Sequence, residues 1–187
     1  MSSNNKCIKY TRSVNKRLQK DLKVLISNSH IYKENNSSFR LDDNSIIYDV
    51  KCINKNGKDF YLILNGQKDT LYEECKVVFR VKSTERYPYF PPEVKCVTKV
   101  YHPNVDDKGN ICLDILKKGW LPTLTFTSIA ENLSTFLINP NADDPLNVKV
   151  SNVYKSDRIE YNRTVKQYIS KYASDGTYKS YLVGITE

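Results

Sequence analysis

Cys112 stands in the run Gly109-Asn110-Ile111-Cys112-Leu113-Asp114, eight positions beyond Asn104 of the turn His102-Pro103-Asn104. A thiol beside a glycine-bearing turn and downstream of a proline-fixed turn could be a positioned nucleophile. It could equally be a small buried apolar residue, the commonest state of a free cysteine. Spacing alone leaves both open. The five cysteines (Cys7, Cys52, Cys75, Cys96 and Cys112) are odd in number, scattered, and form no C-x-x-C pair. That argues against a disulfide framework or a zinc site, and Cys52 and Cys75 read as structural thiols. With only His30 and His102, a histidine-rich metal centre is excluded as well. His30 reads as a solvated loop residue and His102 as a brace for its turn.

The elements that must hold these residues are legible in order. Residues 1–10 are rich in Ser, Asn and Lys and read as a flexible N-terminus. From Thr11 to Ile26 the apolar residues Val14, Leu18, Leu22 and Leu25 mark one helix face, with Lys16, Arg17, Lys20 and Lys23 on the other. Residues 27–45 are polar and turn-prone, a loop. Strands follow at 46–53, 60–64, 76–81 and 93–98, the last after the break at Pro91-Pro92. Short consecutive strands imply an antiparallel meander, with helices covering its other side, and hence an α+β fold. Ser128 to Glu131 has the form of a capping box, and Ile129, Leu133, Phe136 and Leu137 supply a buried stripe. Asn139-Pro140 ends that helix. A short helix is expected near 147–154. A last one opens at Asp157, with Ile159, Val165, Tyr168, Ile169 and Tyr172 apolar to about Ala173, and Gly176 as its stop.

The segment Tyr87–Leu146 resembles the ubiquitin-conjugating enzymes, which carry ubiquitin or a ubiquitin-like protein as a thioester on one cysteine. The matches are Tyr87-Pro88 with Pro91-Pro92, Tyr101-His102-Pro103-Asn104, Gly109-Asn110-Ile111-Cys112-Leu113, Trp120 with Pro122, and Asp143-Asp144-Pro145-Leu146. Their order and intervals fit the family without a gap. The resemblance implies the UBC fold: a four-stranded antiparallel meander with an N-terminal helix and C-terminal helices. It divides the chain into a flexible 1–10, a catalytic domain at 11–174, and a tail at 175–187. The 27–45 loop exceeds typical members by roughly a dozen residues or more, beyond ordinary loop lengths. At Tyr72-Glu73-Glu74-Cys75 the chain departs from the family, where two glycines are usual, so that loop is expected to be reshaped.

The same resemblance assigns roles. Cys112 is the thioester cysteine. Asn104 either steadies the oxyanion formed when a lysine attacks or braces the loop before the thiol. Asp144 matches an acidic residue that orients and deprotonates the incoming lysine, with a helix N-cap as its alternative. Asp114 is a weaker candidate for positioning the lysine. Lys16, Arg17 and Lys20 sit where the family meets its activating enzyme. Tyr89, Pro122 and Thr123 lie in the two loops that meet RING-type or related ligases. Trp120 reads as core. No cofactor and no metal are implied. A thiol suits the work, since a thioester stays activated toward nitrogen. No acid–base partner stands beside Cys112 in the sequence, so a protease-like dyad has little support.

The chain carries 29 Lys+Arg against 21 Asp+Glu, a net charge of +8. The excess is clearest over residues 1–26, which reads as a solvated helix face or as electrostatic docking to an acidic protein. A nucleic-acid module rests on charge alone and is not expected. Nor is a membrane partner: no apolar run spans a bilayer, and the first ten residues have no hydrophobic signal core. The cytoplasm, the nucleus or both are the expected compartments. Ubiquitin is the default modifier. Val94-Lys95-Cys96-x-Thr98, Asp144-Pro145-Leu146-Asn147 and Leu18-Gln19-Lys20-Asp21-Leu22 resemble the neddylation branch, though its N-terminal docking peptide is not recognisable. An inactive scaffold is disfavoured by Cys112 and Asn104.

Overall fold

The computed structural model of the 187-residue chain describes residues 15–29, 48–53 and 57–182. The first helix, α1 (Lys16–Ser27), starts at Asn15, whose side chain accepts the Arg17 N–H at 2.9 Å. Leu18, Leu22, Leu25 and Ile26 are buried along one face, as the spacing requires. Thr11–Val14 of the expected helix, His30, and most of the 27–45 loop lie outside the described residues.

Four strands follow: β1 (Tyr48–Cys52), β2 (Asp59–Asn65), β3 (Lys76–Lys82) and β4 (Glu93–Cys96). They pair antiparallel in the order β1-β2-β3-β4, the meander expected from hairpin-joined strands. Alternation sorts their side chains onto two faces. Phe60, Leu62, Leu64, Val77, Phe79 and Val81 point to the main core. There α2 (Phe126–Ile138) packs on them, with the Phe60 and Phe126 rings edge to face at 5.2 Å. The expected cap of α2 is corrected. Thr125 is the N-cap and Ser128 its N3 partner, so the helix starts earlier than Ser128 and carries Phe126 into the core.

The last helices are α3 (Val148–Ser156) and α4 (Arg158–Tyr168), the latter continued by a π-turn at Ile169–Ala173. One expectation fails here: Ile159 is 83% exposed, and Tyr161 joins the expected Val165 in the core. The helical run ends at Ala173, where the apolar run was expected to end.

The opposite face of the sheet is covered as well. Tyr61, Ile63 and Val78 form a second apolar cluster against Tyr178, Tyr181 and Leu182 of the C-terminal segment. Lys76 anchors that segment, 3.1 Å from Asp175 and 4.9 Å above the Tyr178 ring. This explains why six of the seven β2 residues are buried: the strand is sandwiched.

The reshaped loop keeps a glycine-like backbone without glycine, since Glu74 has φ 62°. Gly66 sits beneath it, where a Cβ would fall 1.5 Å from the Tyr72 carbonyl oxygen. Cys75 and Cys96 are buried free thiols, whereas Cys52 is disulfide-bonded. The reading of Cys52 as a free structural thiol is corrected accordingly. Odd cysteine number and irregular spacing do not forbid one pair, because the fold brings residues together without regard to their spacing.

Removing residues 174–187 is expected to expose Tyr61, Ile63 and Val78 and to lower stability by about 2–4 kcal/mol, by the area the three tail side chains cover. Urea unfolding of full-length and shortened chains measures it; an unchanged midpoint would mean the tail contributes no packing.

Candidate active site

The turn after β4 is organised by His102, which is 1% exposed. Its Nδ1 accepts the Asn104 N–H at 3.0 Å, which leaves Nε2–H to donate to the Phe136 carbonyl at 3.1 Å. The ring also lies on Phe136, centroids 4.6 Å apart. Burial pushes its imidazole down to about 4, outweighing the carbonyl bond, so the ring is neutral near pH 7. It is a brace, tying the turn to the end of α2.

Asn104 comes next, 2% exposed. Its amide N–H groups donate to the carbonyls of Asn141 at 2.8 Å and Asp144 at 3.0 Å, and its Oδ1 accepts the Asn141 N–H at 2.8 Å. Its own carbonyl accepts the Cys112 N–H at 3.1 Å. One residue thus holds both the thiol-bearing segment and the 141–144 loop. Steadying an oxyanion would require it to release one of those loop carbonyls.

Between them the chain makes a tight reversal. Asp106 accepts the N–H groups of Lys108 (2.9 Å) and Asn110 (2.8 Å) through one oxygen. Gly109 has φ +75°, and a Cβ there would meet the Cys96 carbonyl oxygen at 2.1 Å. Val105 bridges Ile111, which sets Cys112 on the returning limb, partly exposed.

The chain then enters a 3₁₀ turn, Asp114–Leu116, that brings Lys117 back over the thiol. The Lys117 Nζ donates to Cys112 Sγ at 3.0 Å. That bond, together with the charges of Cys112, Asp144 and Asp114, holds the Lys117 ammonium above its ordinary value despite a small burial penalty. Asp114 and Asp144 are exposed, and the charge of each reaches Lys117. The N-cap alternative for Asp144 is corrected: Asn147 caps α3, accepting the Val150 N–H at 3.2 Å. The sequence reading missed Lys117 and Asn141. The pair Lys117-Lys118 gives no sign of which amine turns back, and Asn141 acts chiefly through its backbone.

Along the first turns of α1 the basic residues divide. Lys16 and Lys20 are exposed. Arg17 is partly buried and committed: its Nε donates to Asp21 at 2.7 Å, and its Nη2 to the carbonyls of Thr123 at 3.3 Å and Leu124 at 3.1 Å. Asp21, 4% exposed, also accepts the Tyr87 hydroxyl at 2.5 Å. Trp120 is core, 9% exposed, and its indole N–H donates to the Pro88 carbonyl at 2.8 Å. The two loops are therefore stitched side by side. Tyr89 (76% exposed) projects from one, and Leu121, Pro122 and Thr123 from the other. Among the described residues no group of three or more His, Cys, Asp or Glu could hold a metal ion, and no helix is long and apolar enough to cross a membrane.

A sheet meander with one helix before it, helices after it and a thiol on the connecting limb defines a known class of protein. The family model described as Ubiquitin-conjugating enzyme matches residues 17–169, and the chain belongs to that family. Over 128 residues, 67% of this chain and 69% of the other, it is 38% identical to Ubiquitin-conjugating enzyme E2 5 of Arabidopsis thaliana. The ubiquitin conjugating enzyme E2 domain of Toxoplasma gondii matches it in structure with a TM-score of 0.65 and 28% identity, covering 68% of this chain and 88% of that one. The fold is thus the α+β UBC fold. Membership implies transferase activity through a cysteine thioester, and in general ubiquitin, an activating enzyme and a ligase as partners.

Two outcomes test the brace. His102 titrates near 6.5 unfolded and about 4 folded, so the unfolded chain binds the extra proton between those values. Stability is therefore lost as pH falls from about 6.5 to 4, by roughly 3 kcal/mol for this residue. Denaturation at pH 7 and pH 4 should show a smaller drop for His102→Gln than for the parent. Asn104→Ala strands the Asn141 N–H and two carbonyls and should cost about 1–3 kcal/mol; a variant with full stability but slowed transfer would instead mark an oxyanion donor.

Proposed function

We propose that this protein carries ubiquitin as a thioester on Cys112 and passes it, with a ligase, to a lysine amine. One observation carries the choice of residue: among the free cysteines of the described residues, Cys112 alone is not buried. Burial pushes the Cys75 thiol up to about 12 and the Cys96 thiol higher, which leaves both protonated and poor nucleophiles. The Cys112 sulfur attacks the carbonyl of the incoming thioester and displaces the activating enzyme's thiol. A lysine amine then attacks the new thioester, and Cys112 leaves. Asp144, with Asp114, offers a carboxylate to hold the incoming ammonium and take its proton. Asn104 sets the gate by fixing the 141–144 loop.

Lys16 and Lys20 offer free cations to the activating enzyme, with Arg17 shaping the helix end that presents them. Tyr89, Pro122 and Thr123 form the ligase contact. Ubiquitin is preferred because the named relatives are ubiquitin-conjugating enzymes; the Nedd-type modifier is the second reading, on the motif likenesses above. A carrier thiol suits a reducing compartment, cytoplasm or nucleus, and the Cys52 disulfide argues the other way. The domain division at 11–174, with its 27–45 insertion, belongs to the same proposal.

Loading assays with each activating enzyme and its modifier test all of this. Cys112→Ser should give no adduct, or one that resists reducing agent; a reducible adduct on that variant would remove Cys112 from the role. Asp144→Ala should load normally and discharge to free lysine about 10²-fold more slowly.

A further inference from the structure

The loop between β2 and β3, where this chain departs from the family pattern, builds part of the wall of a cavity of about 320 Å³. Leu71 and Tyr72 of that loop line it together with Ile138 and Asn139 at the end of α2, Tyr154 of α3 and Arg158 of α4. The loop is held in shape by its own chemistry. Asp69 and Glu74 take φ 60° and 62°, and the Thr70 hydroxyl donates to the Gln67 carbonyl at 2.6 Å while accepting the Tyr72 N–H at 3.2 Å. The wall is therefore formed in advance. None of the lining residues belongs to the limb that carries Cys112.

The volume lies at the small end of the range for small-molecule sites, about 300–1,000 Å³. Most of the lining is apolar, and its polar groups have bonding capacity to spare. Arg158 is the one charged residue among the described residues of the lining. Its guanidinium lies 3.5 Å from the centroid of the Tyr154 ring and 5.9 Å from that of Tyr161. Among the described residues it pairs with no carboxylate, and the side-chain amides of Asn139 and Asn162 make no hydrogen bond. The Tyr72 hydroxyl is buried without a hydrogen bond of sound geometry; the Tyr161 hydroxyl that shares its surroundings reaches the Tyr101 carbonyl at 3.5 Å.

We propose that this cavity is a binding site for a small carboxylate with an apolar body. A planar guanidinium offers paired N–H donors that match the two oxygens of a carboxylate, and stacking on an aromatic ring fixes its plane beforehand. Leu71, Ile138 and the two tyrosine rings take the hydrocarbon part of the ligand. Competing classes fit less well. A cation would meet Arg158, and a neutral apolar molecule would leave it without an anion. A compact anion such as phosphate would leave the apolar walls uncovered, and a polyanion would need more than one cation.

The test titrates isotope-labelled full-length protein with hydrocinnamate, with its uncharged amide and with inorganic phosphate, and reads the backbone amide shifts. Expected for hydrocinnamate is a saturable change centred on Leu71, Tyr72, Ile138 and Asn139, with a Kd at or below about 1 mM. The uncharged amide should bind at least about tenfold more weakly, and phosphate should not saturate there. Arg158 is exposed, so Arg158→Gln should fold as the parent does; it should lose about tenfold of the affinity for hydrocinnamate and none for the amide. No saturable change up to about 10 mM, equal binding of acid and amide, shifts centred elsewhere, or an unaltered affinity in Arg158→Gln would overturn the site. Saturation by phosphate on the same residues would overturn the carboxylate assignment. Each of these results leaves the role of Cys112 untouched.

Discussion

The side chain of Asn104 is the point from which the thiol end of the molecule hangs. It is almost wholly out of solvent, and its amide meets three backbone groups of the 141–144 loop. Its backbone carbonyl holds the Cys112 N–H, while its own N–H is fixed by a neutral His102. A buried polar group without partners is costly, so this knot has one low-energy arrangement. It sets the distance between the sulfur and the Asp144 carboxylate, which lie far apart in sequence. One buried residue thus ties the thiol-bearing segment to the 141–144 loop.

A second polar knot does equivalent work at the start of α1. Asp21 is buried with two donors, the Tyr87 hydroxyl and the Arg17 guanidinium, and Arg17 reaches on to the Thr123 and Leu124 carbonyls. Trp120 completes the link through the Pro88 carbonyl. The Tyr87 ring stacks on Phe126 at 4.9 Å, so the exposed loops rest on the main core. Loops held this way are ordered by the fold itself. Charge counting alone would have put Arg17 on the free basic face; its geometry makes it a strut.

The sheet is unusual in having neither face fully open. One carries α2 and the main core, and the other is partly capped by Tyr178, Tyr181 and Leu182, leaving Arg80 paired with Asp59 beyond the capped patch. At the thiol, a different closeness matters. The Lys117 amine lies 3.0 Å from the Cys112 sulfur. The charges of Asp144 and Asp114 help to hold that amine protonated.

Periodicity and turn chemistry made most of the frame legible. The four strands, the stripe of α2, the stop at Asn139-Pro140 and the cap at Asp157 all follow from local rules that a short window of residues contains. Where local rules failed, tertiary contact had the larger energy. Phe126 drew the start of α2 forward, and Tyr161 displaced Ile159 from the core by turning a larger apolar ring inward. Spacing alone left Cys112 open, and it was the resemblance of its motifs to the ubiquitin-conjugating enzymes that singled out Cys112, Asn104, Asp144 and Asp114. What the sequence could not decide was which atoms meet: the Asn104 amide on Asn141 and Asp144, Lys117 rather than Lys118 on the thiol, the tail on the back of the sheet. Such pairings belong to chain reversals and layers, whose closure brings distant residues within hydrogen-bond range and leaves no periodic trace along the chain.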